Sequence, residues 1–373
     1  MVFIKSFQTS GCIYDITLLY LDNFIIIFFL PKIMLAVYSE LKNAQKVKEL
    51  LLKKKVLHGD YLPVKELNHI YFPIIKKIKI AKAKIVNTEF SFPKKQNKES
   101  IENILKKKLT KKELSILPRS QEMVGKILIL EIPDKLIKKE KIIAQAYLQL
   151  NSNITTVVRK SAIHAGEYRT RKVKLLAGKR TKETIHQENN IKIKLNLEKT
   201  YFSARSANER MRITKQVKKN ELVLVMFSGA APFPLVIAKN SSAKKVYGIE
   251  LNLMAHQYAL ENVVLNKLED KIIILSGDVR KVVPKLKNKF ERIVMPLPKT
   301  GEDFLDVALL KAKKDTIIHL YAFLHETKFA QHSKKIKRIV EKNKRKIRIM
   351  KKVKCGQFSP GTFRVCFDLK VLS

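Results

Sequence analysis

Hydrophobic and polar positions change their period along the chain. From residue 191 onward, short apolar runs at 222–226 (LVLVM), 245–250 (KVYGIE), 272–275, 292–295 and 316–323 alternate with segments of helical spacing such as 254–265 and 304–312. Continuous apolar strands separated by amphipathic helices belong to a parallel sheet covered on both faces. The last two runs, 346–354 and 363–372, are joined by a short loop containing Ser359, Pro360 and Gly361. A turn of that kind predicts an antiparallel pair.

Upstream the pattern is less regular. Ala44, Val47, Leu50 and Leu51 have helical spacing and precede strand-like material ending in HIYFPI, whereas 76–112 is lysine-rich and reads as an edge followed by a linker. Residues 125–132 (GKILILEI) predict one buried strand, 138–150 a helix, and 154–158 with 173–176 a strand pair. The division expected is an extension at 1–33, a small α/β module at 34–96, an α+β module at 97–190, and the doubly wound domain at 191–373. The apolar stretch 14–30 is interrupted by Asp15, Asp22 and Asn23, and its clean run 24–30 is too short to cross a bilayer. The extension is therefore expected to be non-native or disordered, with Met34 as the start of a soluble, cytoplasmic protein without a membrane partner. A parallel α/β sheet finished by an antiparallel pair predicts the class I, Rossmann-like, S-adenosylmethionine-dependent methyltransferase fold, preceded by two smaller domains.

Charge adds a partner to this picture. Lys and Arg number 76 against 33 Asp and Glu, leaving +43 on 373 residues. Such an excess points to a polyanion, most simply nucleic acid, although lysine runs also form solvated faces. The three cysteines, Cys12, Cys355 and Cys366, make no CxxC pair or metal-spaced cluster. A reducing compartment follows, with no metal, and with Cys355 and Cys366 as buried thiols across the terminal hairpin.

Candidate chemistry lies at the carboxyl ends of the central strands, where ligands bind in doubly wound sheets. Gly229 sits in the first turn, within VMFSGAAPF. Glu250 ends the next strand, where a carboxylate accepts hydrogen bonds from ribose hydroxyls. Asn252 falls at the start of the following helix. Asp278 ends the third strand, in reach of an adenine amino group.

These segments, VMFSGAAPF, VYGIELN, SGDVR and IVMPLPKTGEDFLD, together with GEYRTRKVKLLAGKRTKETIH and YFSARSANERMRI, resemble the archaeal and eukaryotic-type tRNA (guanine(37)-N1)-methyltransferase family. The resemblance implies S-adenosylmethionine as cofactor, the body and anticodon arm of tRNA as partner, and two upstream RNA-binding domains. It implies Glu209 as general base and Arg169 as support for the guanine oxygen. Tyr201 and Phe227 would line the pocket with Gly229, Glu250, Asn252 and Asp278, and Arg205, Arg210, Pro296 and Lys299 would meet the substrate. On a helix Arg205 and Glu209 would share a face. Arg169, Arg171, Lys172, Lys179 and Arg180 form the densest basic set of the middle module. The chain departs from the family at Val225, where an aspartate is usual, at Ala231, where glycine is usual, and at Pro296, where asparagine is usual. Ala231 fits the turn if its φ is negative. A monomer without an obligatory protein partner is expected. The alternatives are an aminocarboxypropyltransferase of the wybutosine pathway or a dual-activity methyltransferase on the same tRNA position, and a tRNA-binding protein whose catalytic domain has decayed.

Overall fold

The computed structural model describes residues 3–9, 12–21, 24–31, 33–81, 83–95, 99–118, 121–161 and 170–373, the first three ranges as backbone only. The chain divides into two compact units, Met1–Glu99 and Ser100–Ser373.

In the first unit Met34–Glu40 is a central strand, flanked by Lys84–Thr88 on one side and by His69–Pro73 and then Val64–Glu66 on the other, all antiparallel. The helix Ala44–Lys53 presses Val47 and Leu51 onto Val37, Phe72 and Ile74. The module thus opens on a strand, not on the helix, and the lysine-rich stretch read as edge and linker contributes the strand Lys84–Thr88. Ala36 and Val37 are both fully buried, so the opening strand lacks the alternation that would have announced it. Residues expected to form an unstructured extension make three antiparallel strands, Phe3–Thr9, Cys12–Leu21 and Phe24–Pro31.

The second unit begins with a four-stranded sheet ordered Val173–Gly178, Thr156–Lys160, Ile127–Leu130, Gln121–Val124, covered by the helix Glu140–Leu150. The apolar run 125–132 holds the expected buried strand, Ile127–Leu130, and a second strand that was not expected, Gln121–Val124, precedes it. Gly125 adopts φ +55 and turns the chain between two strands, and a Cβ there would lie 2.3 Å from Thr184 Oγ1. Only glycine meets both demands. A hairpin, Glu183–Glu188 with Ile191–Asn196, follows, and the boundary expected between 190 and 191 falls in its turn.

The remaining strands form one sheet of seven: β1 (Leu222–Met226), β2 (Lys245–Glu250), β3 (Ile272–Ser276), β4 (Phe290–Met295), β5 (Ala312–His325), β6 (Ile347–Ser359) and β7 (Thr362–Val371). Their order is 3-2-1-4-5-7-6, parallel from β3 through β5 and antiparallel for β7 and β6. The expected class I topology is therefore present, with the terminal hairpin inserted at the β5 edge. The predicted helix at 304–312 is shorter, Leu305–Leu310, because Ala312 already begins β5. Helices α1 (Ala207–Thr214), α2 (Pro232–Asn240) and α3 (Leu253–Leu265) join one core cluster with Val223 and Val225 of β1, Val246 of β2 and Ile272 of β3. Asn262 on α3 is fully buried: it donates to the carbonyls of Lys194 and Ala230 and accepts from Lys194 N, tying the preceding hairpin to the β1 turn.

Candidate functional site

Two adjoining cavities open at the carboxyl ends of β1, β2 and β4. The larger, about 480 Å³, is lined by Tyr201, Phe227, Gly229, Glu250, Asn252, Asp278, Pro296, Lys299 and Phe304, among others. The smaller shares Tyr201, Phe227, Gly229 and Pro296 with it and adds Ser206, Glu209, Arg210, Ser228, Tyr321 and Arg364. Most of the residues predicted from the sequence thus meet around one depression.

The β1 turn shapes the boundary between the two. Phe227, Gly229 and Ala231 all take left-handed backbone, with φ 60, 58 and 66. The condition under which Ala231 would fit without strain, a negative φ, is not met: the alanine caps α2 in a conformation that costs a residue bearing Cβ roughly 1–2 kcal/mol. Its methyl is fully buried in the core, which offsets part of that cost. Val225, two positions before the turn, is buried among apolar neighbours and offers no polar group.

Glu250 clasps the turn. Its Oε2 accepts from Gly229 N at 2.6 Å and its Oε1 from Asn252 N at 2.9 Å. Burial raises its carboxyl above the ordinary value of 4.5, against the opposing pull of these backbone donors. Each oxygen retains a second acceptor position for a ligand hydroxyl. Asn252 is a helix cap: Oδ1 accepts from Met254 N and Ala255 N, and Nδ2 donates to Lys199 O. Its side chain therefore positions the wall instead of reaching into the cavity. Asp278 caps the next helical turn through Arg280 N. Phe304, not anticipated from the sequence, meets Phe227 edge to face at 5.0 Å and lies under the Arg280 guanidinium at 4.6 Å.

Glu209 is 6% exposed and held from two sides. Arg212 Nε and Nη2 grip its two oxygens at 2.7 and 2.8 Å, and the Tyr321 hydroxyl donates to Oε1 at 2.6 Å. Arg205 lies on a 3-10 turn ahead of α1, so the four-residue helical relation expected for it does not apply; Arg212 takes that place. Arg212 also bonds Asp368, whose Oδ1 receives His319 Nδ1–H at 2.7 Å. Arginine can only donate, so its 2.7 Å contact with His319 Nε2 makes that histidine neutral with the proton on Nδ1. Arg292 in turn pairs with Glu221. A continuous chain of charged and polar side chains, Glu209–Arg212–Asp368–His319–Arg292–Glu221, thus runs inward from the smaller cavity, with the neutral His319 joining Asp368 to Arg292. Burial would raise Asp368, but the bonds from His319 and Arg212 outweigh it and hold the carboxyl well below its usual range.

Arg210 points elsewhere than expected. It makes a two-pronged bond to Glu188, both distances 2.5 Å, and donates to Ser203 O, so it locks the site's wall to the hairpin. Arg171 is likewise buried, bonded to Glu122 and Phe202 O, and is removed from the basic set; Lys172, Lys179 and Arg180 remain exposed. Arg169 lies outside the described residues. Cys355 and Cys366 are free thiols, as expected, but only Cys366 is buried; Cys355 is half-buried, enough to push its thiol up to about 12. Among the described residues no helix is long and apolar enough to cross a membrane.

Comparison with known proteins agrees with this geometry. Residues 184–349 match the TRM5/TYW2 methyltransferase domain, 101–181 the TYW2 N-terminal domain and 40–82 the tRNA methyltransferase 5 N-terminal domain. The chain is 32% identical over 338 residues to the tRNA (guanine(37)-N(1))-methyltransferase Trm5b of Pyrococcus abyssi, covering 90% of this chain and 99% of that one. It is 33% identical to the tRNA(Phe) (4-demethylwyosine(37)-C(7)) aminocarboxypropyltransferase of Pyrococcus horikoshii, over 74% of this chain and 97% of the relative. The solved complex of aTrm5 and tRNALeu superposes with a TM-score of 0.64 at 31% identity, covering 90% of this chain and 99% of that structure.

Proposed function

The chain belongs to the Trm5 family of tRNA (guanine(37)-N1)-methyltransferases, and on that premise we propose that it methylates N1 of guanosine 37 with Glu209 as the base. The observation that carries this reading is the placement of a carboxylate, Glu209, in a recess that opens onto the acid-lined cavity of Glu250 and Asp278.

The larger cavity suits the family's cofactor. Its volume lies within the range of small-molecule sites, and its carboxylates stand at successive strand ends. Glu250 would hold the ribose hydroxyls and Asp278 the adenine amino group, with Phe227 and Phe304 as the aromatic wall. Bound there, S-adenosylmethionine supplies the electrophilic methyl group.

Guanine N1 carries a proton at neutral pH, and its lone pair becomes nucleophilic as that proton leaves. Glu209 receives the proton while Arg212 and Tyr321 keep its oxygens oriented. Charge then grows on guanine O6 and needs donors nearby. Arg169 is the family's candidate for that task. Pro296 offers no side-chain amide, so its contribution is shape and backbone. The target base must be unstacked to enter, and exposed cations such as Lys172, Lys179, Arg180 and Lys299 would neutralise the adjoining phosphates. The modules at 34–96 and 97–190 would carry the rest of the tRNA contact, in a cytoplasmic monomer.

Methyl transfer from labelled cofactor to transcripts bearing G or A at position 37 tests the reading. The expected result is modification of the G transcript alone, reduced about 100-fold or more in Glu209→Gln with cofactor binding intact. An unimpaired Glu209→Gln would return this carboxylate to a structural role. Transfer of an aminocarboxypropyl group instead would move the chain to the second branch of its relatives.

A further inference from the structure

Phe358, at the end of β6, is 64% exposed, and among the residues whose side chains are described no other phenylalanine or tyrosine lies in the open. It rests against Phe323 across the intervening strand β7, with ring centroids 4.4 Å apart and planes 34° from parallel. Phe323 follows Tyr321 by two residues on an unbroken stretch of β5, so the two side chains leave the same face of the sheet about 7 Å apart. Tyr321 lines the recess with Glu209, and so does Arg364, the residue opposite Phe323 in the register of β5 and β7. Phe323 N also donates to the carbonyl of Pro298, another residue of the recess wall, at 2.7 Å. The aromatic pair therefore continues the recess outward at its rim. The hairpin tip is braced there: Gly361 has φ +70, a Cβ on it would lie 2.5 Å from His325 Nε2, and its carbonyl accepts from Glu326 N at 3.1 Å. One residue beyond Phe323, Leu324 borders a groove lined by Lys328, Lys334, Lys335 and Arg338, most of them on the helix Phe329–Lys342. Among the described residues only Lys335 of these four cations has a carboxylate at ion-pair distance, Glu302 at 3.0 Å.

We propose that Phe358, backed by Phe323, is a stacking platform for the nucleobase that flanks the target guanosine, and that the groove beside it takes the phosphates of the same strand. The inference rests on reading the Glu209 recess as the guanine pocket, and it adds a contact made by the catalytic domain itself. A base drawn out of its stack into a recess leaves its neighbour with one face uncovered. An aromatic ring fixed at the mouth covers that face again, which stabilises the state in which the target is unstacked. Every base has a π-face, so such a platform accepts RNAs that differ beside position 37. The surroundings of Phe358 suit a polyanion better than the apolar surface of another protein. The strand leading to it exposes Lys351, Lys352 and Lys354, and Gln357 precedes it, so the ring is an isolated apolar spot in a cationic field.

The test compares wild type with Phe358→Ala, Phe358→Trp and the double variant Lys334→Gln, Arg338→Gln on G37 transcripts that are intact or abasic at position 36 or 38. For Phe358→Ala the expected result is a KM for RNA about 10-fold higher, with kcat at saturating RNA, cofactor affinity and melting temperature unchanged. Phe358→Trp, which keeps a ring, should hold the wild-type KM. An abasic site at the stacked position should weaken wild type to the same degree and Phe358→Ala no further, whereas at the other flank the two losses should add. The fluorescence of 2-aminopurine at the stacked position should be quenched by wild type and not by Phe358→Ala. The groove variant should lower the slope of log affinity against log salt by about 1.5. Phe358→Ala within about twofold of wild type, a loss that adds to both abasic sites, or an unchanged salt slope would overturn the proposal. Loss of self-association in Phe358→Ala with RNA binding intact would also overturn it and make this ring a contact between copies of the chain. A wild type that binds the transcript and quenches the aminopurine but leaves G37 unmodified would sink the functional reading alone, which keeps the two failures apart.

Discussion

Tyr321 donates its hydroxyl proton to Glu209 Oε1 at 2.6 Å, from a fully buried strand position 112 residues further along the chain. The phenol is walled in by the core, so its hydroxyl proton is retained and always available to the carboxylate. Tyr321→Phe removes one orienting bond and leaves the arginine grip in place. A fall of about 3- to 10-fold in kcat is expected, with cofactor affinity unchanged, from the ordinary worth of one hydrogen bond. Single-turnover kinetics would read it directly.

Asp368 stands between Arg212 and His319, and its replacement by asparagine leaves a buried arginine facing a weaker partner. A loss of about 3 kcal/mol in unfolding free energy is expected, because breaking one member of a buried ionic chain strands the others. Denaturant titration measures it. The acid side follows the same logic with its sign worked out: a carboxyl held below its unfolded value stabilises the fold above that value and ceases to do so as pH falls through the folded one. Wild type should therefore lose this contribution only in strong acid, and Asp368→Asn should lack it at every pH.

Ala231 tolerates change in one direction. Glycine there relieves the left-handed strain but surrenders a buried methyl, so Ala231→Gly should lie within about 1 kcal/mol of wild type. Valine adds a branched Cβ at φ 66 in a filled core, and Ala231→Val should cost about 2 kcal/mol or more. Melting curves for the two variants decide the point.

With Glu250 assigned to the ribose as proposed, cofactor binding should depend on pH. Its carboxyl is raised, so on acidification it takes up a proton above the ordinary 4.5 and ceases to be a good acceptor for ribose hydroxyls. Affinity for S-adenosylmethionine should fall through that window, while Glu250→Gln should bind more weakly at neutral pH and show a flat profile. For folding the sign reverses: a raised acid contributes its stability below the unfolded value and loses it as pH climbs through the folded one. Calorimetric titration across pH 4 to 7, with circular dichroism as the fold control, separates the two effects.

What could be read in the sequence was what neighbours in sequence determine. Strands β1 and β2 fall on the residues their apolar runs indicate, and Asn252 caps α3 as its position after VYGIE suggests. The two-faced strand Met34–Glu40 and the turn at Gly125 escaped because neither alternation nor helical spacing marks them. Glu209's partners escaped for a different reason. Arg212 lay within reach of a spacing argument that chose Arg205, but Tyr321, and Asp368 behind Arg212, come from the far end of the chain and join the site only through the sheet order.

That sheet order bears on how the protein is made. Gly229, Glu250 and Asp278 of the larger cavity precede the terminal hairpin, while β7 supplies Arg364 to the wall of the smaller one and Asp368 to Arg212 behind Glu209. The final strand is also an interior one: Val365, Phe367, Leu369 and Val371 are fully buried between β5 and β6, so the last residues to leave the ribosome complete the core and the support of Glu209 in one step.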